Sequence, residues 1–415
     1  MNVQLPYGKE MLSLNVPQQH YLKTLLPNDI DFALTGEEEV RRGLDDPIGS
    51  KPLGELVKPG QKVCIVTSDI TRPMPSHLVL PPVLEVLNQA GVPDSDITVV
   101  FALGSHRAHT EAEKKKLVGQ SVYDRVTCLD SKGEFVFLGT TSRGTPVNIF
   151  KPVVDADVRI CLGNIEFHYF AGYSGGAKAI MPGVSTRDAI QCNHSRMVDP
   201  AACAGAIAGN PIREDIDEVC QRFLPIDFIV NVVLDEKKCV RRCVAGHYIQ
   251  AHREGCAFLD RLYKVNIPRR AEIVVVSAGG YPKDINLYQA QKALDNAKHA
   301  IRKGGTILWV ASACEGLGEG VFEKWMTSHE KASDMIEHIG REFQLGGHKA
   351  AAIAMVLQEA DIMLRSNLDP DFVRNIHLTP CGELQATLDG LLKKYGPEAK
   401  VIVMPYGGST LPCLS

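Results

Sequence analysis

The chain has 415 residues, of which 45% are hydrophobic and 23% are charged, as is typical of a globular protein with two or three domains. Forty-five basic and 49 acidic side chains leave a net charge of -4. Nucleic acid is excluded as an expected partner, because its backbone demands a concentrated basic face and no run of like charge is longer than the three lysines 114–116.

The 12 cysteines are scattered along the chain. They have neither the density of a disulfide scaffold nor the paired spacing of a structural zinc site. The opening residues lack the pattern of a signal peptide, and no run approaches the roughly 18 apolar residues of a membrane span. We therefore expect a cytoplasmic protein that does not enter a membrane.

Short apolar, β-branched runs alternate with longer helical patterns along most of the chain. This alternation predicts an α/β protein with mostly parallel sheets that helices cover on both faces. In chain order, the predicted strands are 63–67, 97–103, 158–162, 226–234, 273–277, 306–311, 362–364 and 400–404. The predicted helices are 77–89, 186–197, 250–262, 287–302 and 349–358.

A proline and two arginines at positions 268–270 separate a helical pattern from a new strand and predict a domain boundary. We expect two α/β domains, residues 1–268 and 269–415, with the active site in the cleft between them. The first forty residues read as an irregular or β-rich arm.

In open α/β sheets, ligands bind beyond the carboxyl ends of the strands, so the segments after the predicted strands are the candidate sites. The first segment places Asp69 and Arg72 on a proline-stiffened turn. Arginine offers a planar fork that suits a substrate carboxylate. A local ion pair between these two side chains is the alternative.

The segment after the second predicted strand carries His106, Arg107 and His109. Histidine transfers protons near neutral pH. Two imidazoles beside a guanidinium, directly after a buried strand, indicate a functional loop rather than incidental surface histidines.

The densest segment follows the third predicted strand and contains His168, three nearby glycines and Lys178. Glycines at 172, 175 and 176 would permit close backbone approach to a ligand. A P-loop is excluded because Ala177 and Ala179 flank the lysine. The lysine could instead be a covalent anchor or Schiff-base amine, or simply a solvated side chain after a glycine-rich turn.

Two further segments complete the set. His194 lies on a predicted helix, but a single helical histidine is usually structural, and its spacing alone does not favour a metal. Gly279 and Gly280 precede a predicted helix that carries Tyr288, Gln289 and Lys292. A glycine turn that leads into a helix N-terminus predicts an anion site, although the NAD fingerprint is absent.

Together these motifs resemble those of the nickel-dependent lactate racemase family, and they occur in the family's order between residues 68 and 292. Any one motif is weak, but the set is specific. The matching segments are 68–73, 104–107, 166–178, 193–195, 279–282 and 288–292.

The resemblance implies a nickel-pincer nucleotide, pyridinium-3-thioamide-5-thiocarboxylic acid mononucleotide, joined to Lys178 through a thioamide. Nickel would be held by two sulfurs and a ring carbon of this cofactor and by His194. This would explain why the sequence shows no metal-binding spacing of its own. The remaining residues expected to contact the cofactor are Asp69, which would also position Arg72 or a histidine, together with Gly279, Gly280 and Tyr288.

The family's activity implies a racemase or epimerase that inverts the C2 centre of a 2-hydroxy acid. A base takes the hydroxyl proton while the cofactor accepts hydride. His106 and His168 would be the bases for the two enantiomers. The side chains expected to orient the substrate carboxylate are Arg72, Gln289 and Lys292. Partners implied are the small-molecule substrate and the proteins that make the cofactor, while the oligomeric state stays open.

Two departures from the family pattern bear on the substrate. Ala177 stands where many members have arginine, and residues 344–349 lie where lactate-type members place a bulky aromatic side chain. Lactate, a dicarboxylate, an aromatic acid and a sugar acid all remain candidates, with Arg107, His109 and Lys349 available to meet a distal polar group. The alternatives in other classes are a non-catalytic carboxylate-binding protein and a 2-hydroxyacid oxidoreductase.

Overall fold

The computed structural model describes all 415 residues. The chain divides into two compact units, Ile30–Arg261 and a second made of Met1–Asp29 with Leu262–Ser415. No helix is long and apolar enough to cross a lipid bilayer.

The N-terminal segment forms a hairpin and one further strand. Its first two strands pair antiparallel, with Leu5 opposite Leu12. The strands are β1 (Asn2–Tyr7), β2 (Glu10–Asn15) and β3 (Tyr21–Thr24).

The unit Ile30–Arg261 alternates strands and helices around one large sheet. Its strands are β4 (Val63–Ser68), β5 (Ile97–Ala102), β6 (Thr127–Asp130), β7 (Phe135–Thr140), β8 (Pro146–Phe150), β9 (Val158–Asn164), β10 (Phe167–His168), β11 (Gly172–Tyr173), β12 (Phe228–Leu234) and β13 (Val240–Gly246). Its helices are α1 (Gly36–Asp45), α2 (Leu53–Leu56), α3 (Ser76–Gln89), α4 (Glu111–Val118), α5 (Gln120–Tyr123), α6 (Lys151–Val154), α7 (Arg187–His194), α8 (Pro211–Arg222) and α9 (Gln250–Tyr263). Short 3-10 helices lie at Asp94–Asp96, Gly176–Ala179 and Ser195–Val198.

The large sheet of this unit has the strand order β13-β12-β9-β4-β5-β6. All neighbours are parallel except β13, which pairs antiparallel with β12 at the edge. The central strands are buried along almost their whole length, as expected when helices cover both faces of a parallel sheet. Their carboxyl ends therefore meet at one edge, and that edge carries the candidate site.

The C-terminal residues build a second large sheet. Its strands are β14 (Lys264–Ile267), β15 (Ala271–Ser277), β16 (Ile301–Val310), β17 (Ala360–Arg365), β18 (Thr379–Pro380), β19 (Val401–Met404) and β20 (Leu411–Leu414). Its helices are α10 (Leu287–Ala297), α11 (Gly320–Ser328), α12 (Ala332–Arg341), α13 (Gly347–Leu357), α14 (Pro370–Asn375) and α15 (Leu384–Tyr395). The strand order is β18-β17-β16-β15-β19-β3, and every pair is parallel.

The predicted α/β class with mostly parallel sheets is confirmed. The division of the chain differs from the predicted domains 1–268 and 269–415, because β3 adds to the C-terminal sheet beside β19. Leu5 and Leu14 of the hairpin are fully buried in the same apolar core as Ile273. The N-terminal arm is therefore part of the unit built by the C-terminal residues.

Several local boundaries also differ from the sequence prediction. The predicted helix 287–302 ends at Ala297, and β16 begins at Ile301 rather than 306. The hairpin of β7 and β8 and the helix α8 were not predicted. No side chain of β7 is fully buried, so the apolar pattern of the hairpin is weak. A start signal for α8 was present, since Asn210 caps it and Pro211 is its first residue.

Candidate active site

The carboxyl ends of β4 and β5 bring Asp69 and His106 together. The two strands are parallel neighbours with Ser68 opposite Ala102, so the residues after both strands emerge at the same edge. Nδ1 of His106 lies 2.7 Å from Oδ2 of Asp69, and the Thr71 hydroxyl donates to Oδ1 of Asp69 at 2.8 Å. Asp69 is only 3% exposed, so it is a buried partner that orients the imidazole.

The charge of Asp69 sets the proton arrangement on His106. Burial acts to raise the pKa of Asp69, but the hydrogen bond and charge of His106, helped by Thr71 and Arg72, hold that pKa below its ordinary value. An ionised Asp69 accepts the Nδ1–H of His106. Nε2 of His106 then carries the lone pair and can accept a proton from a bound molecule.

Arg72 takes no part in this pair. Its side chain is exposed, and its recorded hydrogen bond is a long one to the Thr71 hydroxyl, at 3.5 Å. The sequence left open whether Arg72 binds a substrate carboxylate or forms an ion pair with Asp69. The structure does not contain that ion pair. The guanidinium is accessible to a ligand carboxylate.

Arg107 and His109 are held by protein partners. Nδ1 of His109 lies 2.6 Å from Oδ1 of Asp130, and Nε2 accepts the backbone N–H of Ile70 at 3.1 Å. The His109 side chain is 1% exposed. Arg107 donates two hydrogen bonds to the Glu113 carboxylate. These contacts do not support the expectation that either side chain meets a distal group of the substrate; instead, His109 ties the loop after β4 to β6.

The glycine-rich segment after β9 folds tightly against the protein itself. A Cβ on Gly172, whose φ is +76°, would lie 1.9 Å from the carbonyl oxygen of Ala206. A Cβ on Gly176, with φ +60°, would lie 2.9 Å from the ring of His252. Only glycine satisfies both the backbone angle and the close contact. These two glycines therefore serve the packing of the loop, and not a ligand approach as the sequence suggested.

Lys178 lies on the 3-10 helix Gly176–Ala179, directly after this turn. Burial is the main cause that lowers the pKa of its amine well below the ordinary value, and the charges of Arg213 and Arg72 lower it further, while Glu166 acts in the opposite direction. An uncharged amine is a nucleophile. The reading of Lys178 as a merely solvated lysine is not supported, because the residue is partly buried and feels the charges of two arginines.

His194 is the last residue of α7, and a hydrogen bond to Asn193 fixes the orientation of its ring. Nδ1 of His194 donates to Oδ1 of Asn193 at 2.8 Å, which requires the Asn193 amide to point its nitrogen elsewhere. That nitrogen donates to Oδ2 of Asp215 at 2.7 Å and to the carbonyl oxygen of Ile212 at 3.3 Å. Nε2 of His194 is then the nitrogen suited to bind a metal, in the manner of a histidine ligand held by a second hydrogen bond.

An aromatic row joins His194 to His168. The Phe170 ring contacts His194 edge-on with centroids 4.8 Å apart and contacts His168 edge-on at 4.5 Å. Nδ1 of His168 accepts the backbone N–H of Ala171 at 3.3 Å, so Nε2 carries the ring hydrogen in the neutral form. The structure therefore places these two histidines in one cluster around Phe170.

No group of three or more His, Cys, Asp or Glu side chains could hold a metal ion by itself. His194 would be one protein ligand, and the remaining donors would have to come from a bound group. The site fits such a group: Lys178 offers an amine whose pKa is lowered toward the nucleophilic form, and His194 offers a pre-oriented Nε2.

In the unit that contains the C-terminal residues, the glycine pair and α10 are separated by six residues. Gly280, at φ +71°, packs closely on the turn between β1 and β2, where a Cβ would lie 3.0 Å from the carbonyl oxygen of Gly8. The side chain of Asn286 caps α10 by accepting the N–H of Gln289 at 2.9 Å. The glycine turn therefore does not feed the helix directly, and the predicted anion site at its N-terminus is already capped.

The face of α10 presents polar side chains. Gln289 and Lys292, three residues apart, are both exposed. Tyr288 is half-buried and packs edge-on against Phe322 with centroids 5.7 Å apart. Nζ of Lys349 lies 3.9 Å from the centre of the Tyr288 ring and donates to the Tyr288 carbonyl at 2.5 Å.

The segment 344–349 packs against Trp325. Nε1 of Trp325 donates to Oε1 of Gln344 at 2.8 Å. A Cβ on Gly347 would lie 2.4 Å from the Trp325 ring, so glycine is required for this packing. The indole of Trp325 therefore packs against the first residue of α13. Lys349, two residues later on the same helix, contacts the Tyr288 ring.

Sequence reasoning missed the residues beneath the site. Asn193 and Asp215 orient His194. Arg213 donates hydrogen bonds to the backbone of residues 171–178, called the lysine loop below. Nothing in local spacing marks Arg213 or Asp215, since both are ordinary helix residues of α8. Asn193 is adjacent to His194, but its role depends on the distant carboxylate that fixes its amide.

Two family models match the chain. The lactate racemase N-terminal domain matches residues 7–205, and the lactate racemase C-terminal domain matches residues 267–411. Together they cover most of the chain, including every segment that carries a candidate site residue.

Curated relatives match over essentially the full length. The lactate racemase of Thermoanaerobacterium thermosaccharolyticum is 31% identical over 99% of both chains. That of Lactiplantibacillus plantarum is 33% identical over 98% of both chains.

Solved structures share the fold. The apoprotein of the lactate racemase from Thermoanaerobacterium thermosaccharolyticum superposes with a TM-score of 0.89 at 30% identity, covering both chains completely. A Thermotoga maritima protein matches with a TM-score of 0.64 at 20% identity over 92% of this chain and all of its own, which shows a likeness of fold alone.

Proposed function

The chain belongs to the lactate racemase family and is an isomerase, and from this premise we propose that it inverts the C2 centre of a 2-hydroxy acid with a nickel-pincer nucleotide bound to Lys178. The observation that carries the proposal is the environment of Lys178, where burial and two guanidinium groups lower the pKa of the amine. A nucleophilic amine and a histidine nitrogen oriented by a second hydrogen bond, such as Nε2 of His194, are the two groups that such a cofactor requires from the protein. The alternatives of an oxidoreductase and a non-catalytic carboxylate-binding protein find no support among the relatives.

Lys178 would hold the nucleotide covalently, and His194 would complete the coordination of nickel. When bound, this cofactor would supply a hydride acceptor for the C2 hydrogen, which is too weakly acidic to leave as a proton. Asp69, Gly279, Gly280 and Tyr288 are proposed to contact the cofactor or its immediate surroundings. For Asp69 the main supporting contact is with His106, so we assign it chiefly to orienting that base.

His106 is proposed as the base for one enantiomer. Its Nε2 accepts the hydroxyl proton because Asp69 occupies Nδ1 and stabilises the imidazolium that forms. His168 is proposed to act on the other face, where its Nε2–H can donate to the substrate oxygen. The two imidazoles thus rest in complementary hydrogen-bonding states, which supports transfer of a proton in from one side and out from the other.

The substrate carboxylate is proposed to bind Arg72, Gln289 and Lys292. Arg72 is exposed with only a weak internal hydrogen bond, and the two α10 side chains share one exposed face. Lactate is the first substrate to test, because both curated relatives are lactate racemases. Larger and more polar 2-hydroxy acids belong in the same panel, since Lys349 lies against Tyr288 on this face.

The proposal is tested by loading the protein in a host that coexpresses cofactor-making proteins, which are its proposed partners. We expect a mass addition that peptide mapping places on Lys178, about one nickel per chain, and racemisation of a single-enantiomer 2-hydroxy acid in a chiral assay. The variant Lys178→Arg has a side chain of similar length but cannot form the thioamide, so it should lack both the mass addition and the activity. An unmodified Lys178, under conditions that load a known family member, would contradict the proposal.

A further inference from the structure

A buried arginine lies under the loop that carries Lys178. Arg213, on α8, is fully buried. Its Nε donates to the carbonyl oxygen of Ala171 at 3.3 Å, and one terminal nitrogen donates to the carbonyl oxygen of Tyr173. The guanidinium therefore fixes the backbone on both sides of Gly172, just before the 3-10 helix with the lysine.

A second layer holds this arginine and the loop in place. Nε2 of His252 donates to the carbonyl oxygen of Ser174 at 2.8 Å, and its Nδ1 accepts from Arg253 at 2.6 Å. Burial, together with the charges of Arg213 and Arg253, lowers the pKa of His252 well below its ordinary value, in agreement with a ring whose Nδ1 accepts from Arg253. Asp217 neutralises part of the charge, 3.6 Å from Arg213 and in a hydrogen bond with Arg253.

The charges around the Lys178 amine come from three different elements. Arg213 on α8 and Arg72 on the loop after β4 repel a charged ammonium group, whereas Glu166 on the loop after β9 attracts it. The position next to Lys178 is the buried Ala177, which adds no charge. Arg213 is the stronger of the two cations in its effect on Lys178.

We propose that Arg213, assisted by Arg72, is a positioning residue for cofactor attachment: it anchors the loop that holds Lys178 and makes that lysine react as an uncharged nucleophile. The inference rests on the proposed function, in which Lys178 is the covalent anchor. It assigns to Arg213 a part in making the loaded enzyme, not in the racemisation step.

The attachment step balances without an oxidant or reductant. The lone pair of Nζ attacks the acyl carbon of a thiocarboxylate on a pyridine nucleotide, a C–N bond forms and a C–O bond breaks. The oxygen leaves as water with one proton from the amine and one from solvent. The same cations that keep the amine uncharged attract the anionic nucleotide.

The test measures the reactivity of Lys178 in the full chain purified without cofactor. Trace acetic anhydride is applied across a pH series, and acetylation of Lys178 is compared with that of the exposed Lys58 by peptide mass spectrometry. Acetylation requires the free amine, so the pH midpoint of labelling reports its protonation. We expect a lower midpoint for Lys178 than for Lys58; equal midpoints would overturn the proposal.

Variants separate the charge of Arg213 from its structural role. In Arg213→Met, labelling of Lys178 at pH 7 should fall about tenfold for each unit by which the midpoint rises, and Arg213→Lys should restore it in part. Arg253→Met is the matched control, because it removes a neighbouring charge that does not act directly on Lys178. An unchanged midpoint in folded Arg213→Met would refute the assignment.

If Arg213→Met does not fold, two variants at other positions test whether neighbouring charges set the labelling midpoint of Lys178. Arg72 is exposed, so Arg72→Gln should fold and raise the midpoint, while Glu166→Gln should lower it. Absence of both shifts overturns the proposal. This readout is independent of cofactor loading. A low, Arg213-dependent midpoint together with an unmodified Lys178 in the coexpression experiment would refute the proposed function and the attachment role, and would leave only the effect of Arg213 on the Lys178 amine. A normal midpoint together with a modified Lys178 would refute the role of Arg213 and leave the proposed function standing.

Discussion

At the scale of single residues, the chain contains two histidine–carboxylate pairs that differ in their surroundings. His106 with Asp69 and His109 with Asp130 both join an imidazole Nδ1 to a carboxylate, at 2.7 and 2.6 Å. The difference is exposure, since the His106 side chain is 29% exposed and that of His109 is 1% exposed. Of the two, His106 is the one that a substrate could reach, which supports the proposed role of the first pair in the chemistry and a structural role for the second.

The variant Asp69→Asn tests this distinction. An amide cannot stabilise the imidazolium and permits the wrong ring tautomer, so racemisation by the loaded protein should fall about 10²–10⁴-fold. The matched variant Asp130→Asn should instead lower the free energy of unfolding by about 1–3 kcal/mol with little change in kcat. Chiral assays and urea unfolding measure the two quantities, and equal losses of activity in both variants would contradict the assignment.

The free energy of unfolding of the wild type and of Asp69→Asn should also depend differently on pH. Because the folded-state pKa of Asp69 is lowered, the stability it contributes is fully present above the unfolded value of about 3.9 and is lost as the pH falls through the folded value. The wild type should therefore be more stable than the variant at neutral pH, and the difference should shrink in acid.

At the scale of elements, the lysine loop is defined by how closely its backbone approaches the rest of the protein. Gly172 and Gly209 have almost the same backbone angle, φ +76° and +75°. A Cβ would overlap the carbonyl of Ala206 at Gly172, whereas nothing lies within 4 Å at Gly209. The pair therefore separates backbone strain from steric overlap.

The variants Gly172→Ala and Gly209→Ala should differ accordingly. Gly209→Ala should lose about 1–2 kcal/mol of unfolding free energy from its left-handed backbone angle alone. Gly172→Ala should lose about 1–3 kcal/mol more, because the loop must shift to relieve the overlap, and the shift should reduce cofactor attachment at Lys178. Equal losses in thermal or urea unfolding would show that the loop is looser than its contacts indicate.

At the scale of the whole molecule, the first 29 residues belong to the unit built by the far end of the chain. Leu5, Leu14 and Val16 are fully buried in its core, and β3 completes its sheet. Burial of these side chains stabilises the unit by on the order of 5–10 kcal/mol, which is comparable with the whole stability of a domain.

Fragments of the chain test this arrangement. Residues 30–261 should fold alone and unfold cooperatively, since their core is their own. Residues 262–415 should fail to do so unless residues 1–29 are joined to them through a short linker. Circular dichroism during urea unfolding checks both expectations, and cooperative unfolding of 262–415 alone would contradict the assignment of the arm.

The sequence by itself determined the α/β class, the main strands, and the positions of Asp69, His106, His168, Lys178 and His194 after strands or on helices. These signals are local, because a buried strand is a short apolar run and a site in a parallel sheet follows the end of such a run. Resemblance to a family then gave those residues roles that spacing alone had left open.

Tertiary structure alone decided the pairings. Asp69 could have bonded Arg72, three residues away, but the parallel alignment of β4 and β5 gave it His106 instead. The glycines of the lysine loop serve contacts with Ala206 and His252, and the cation beneath Lys178 comes from Arg213. Each of these contacts joins residues that are distant in the chain, so no local pattern of residues records them.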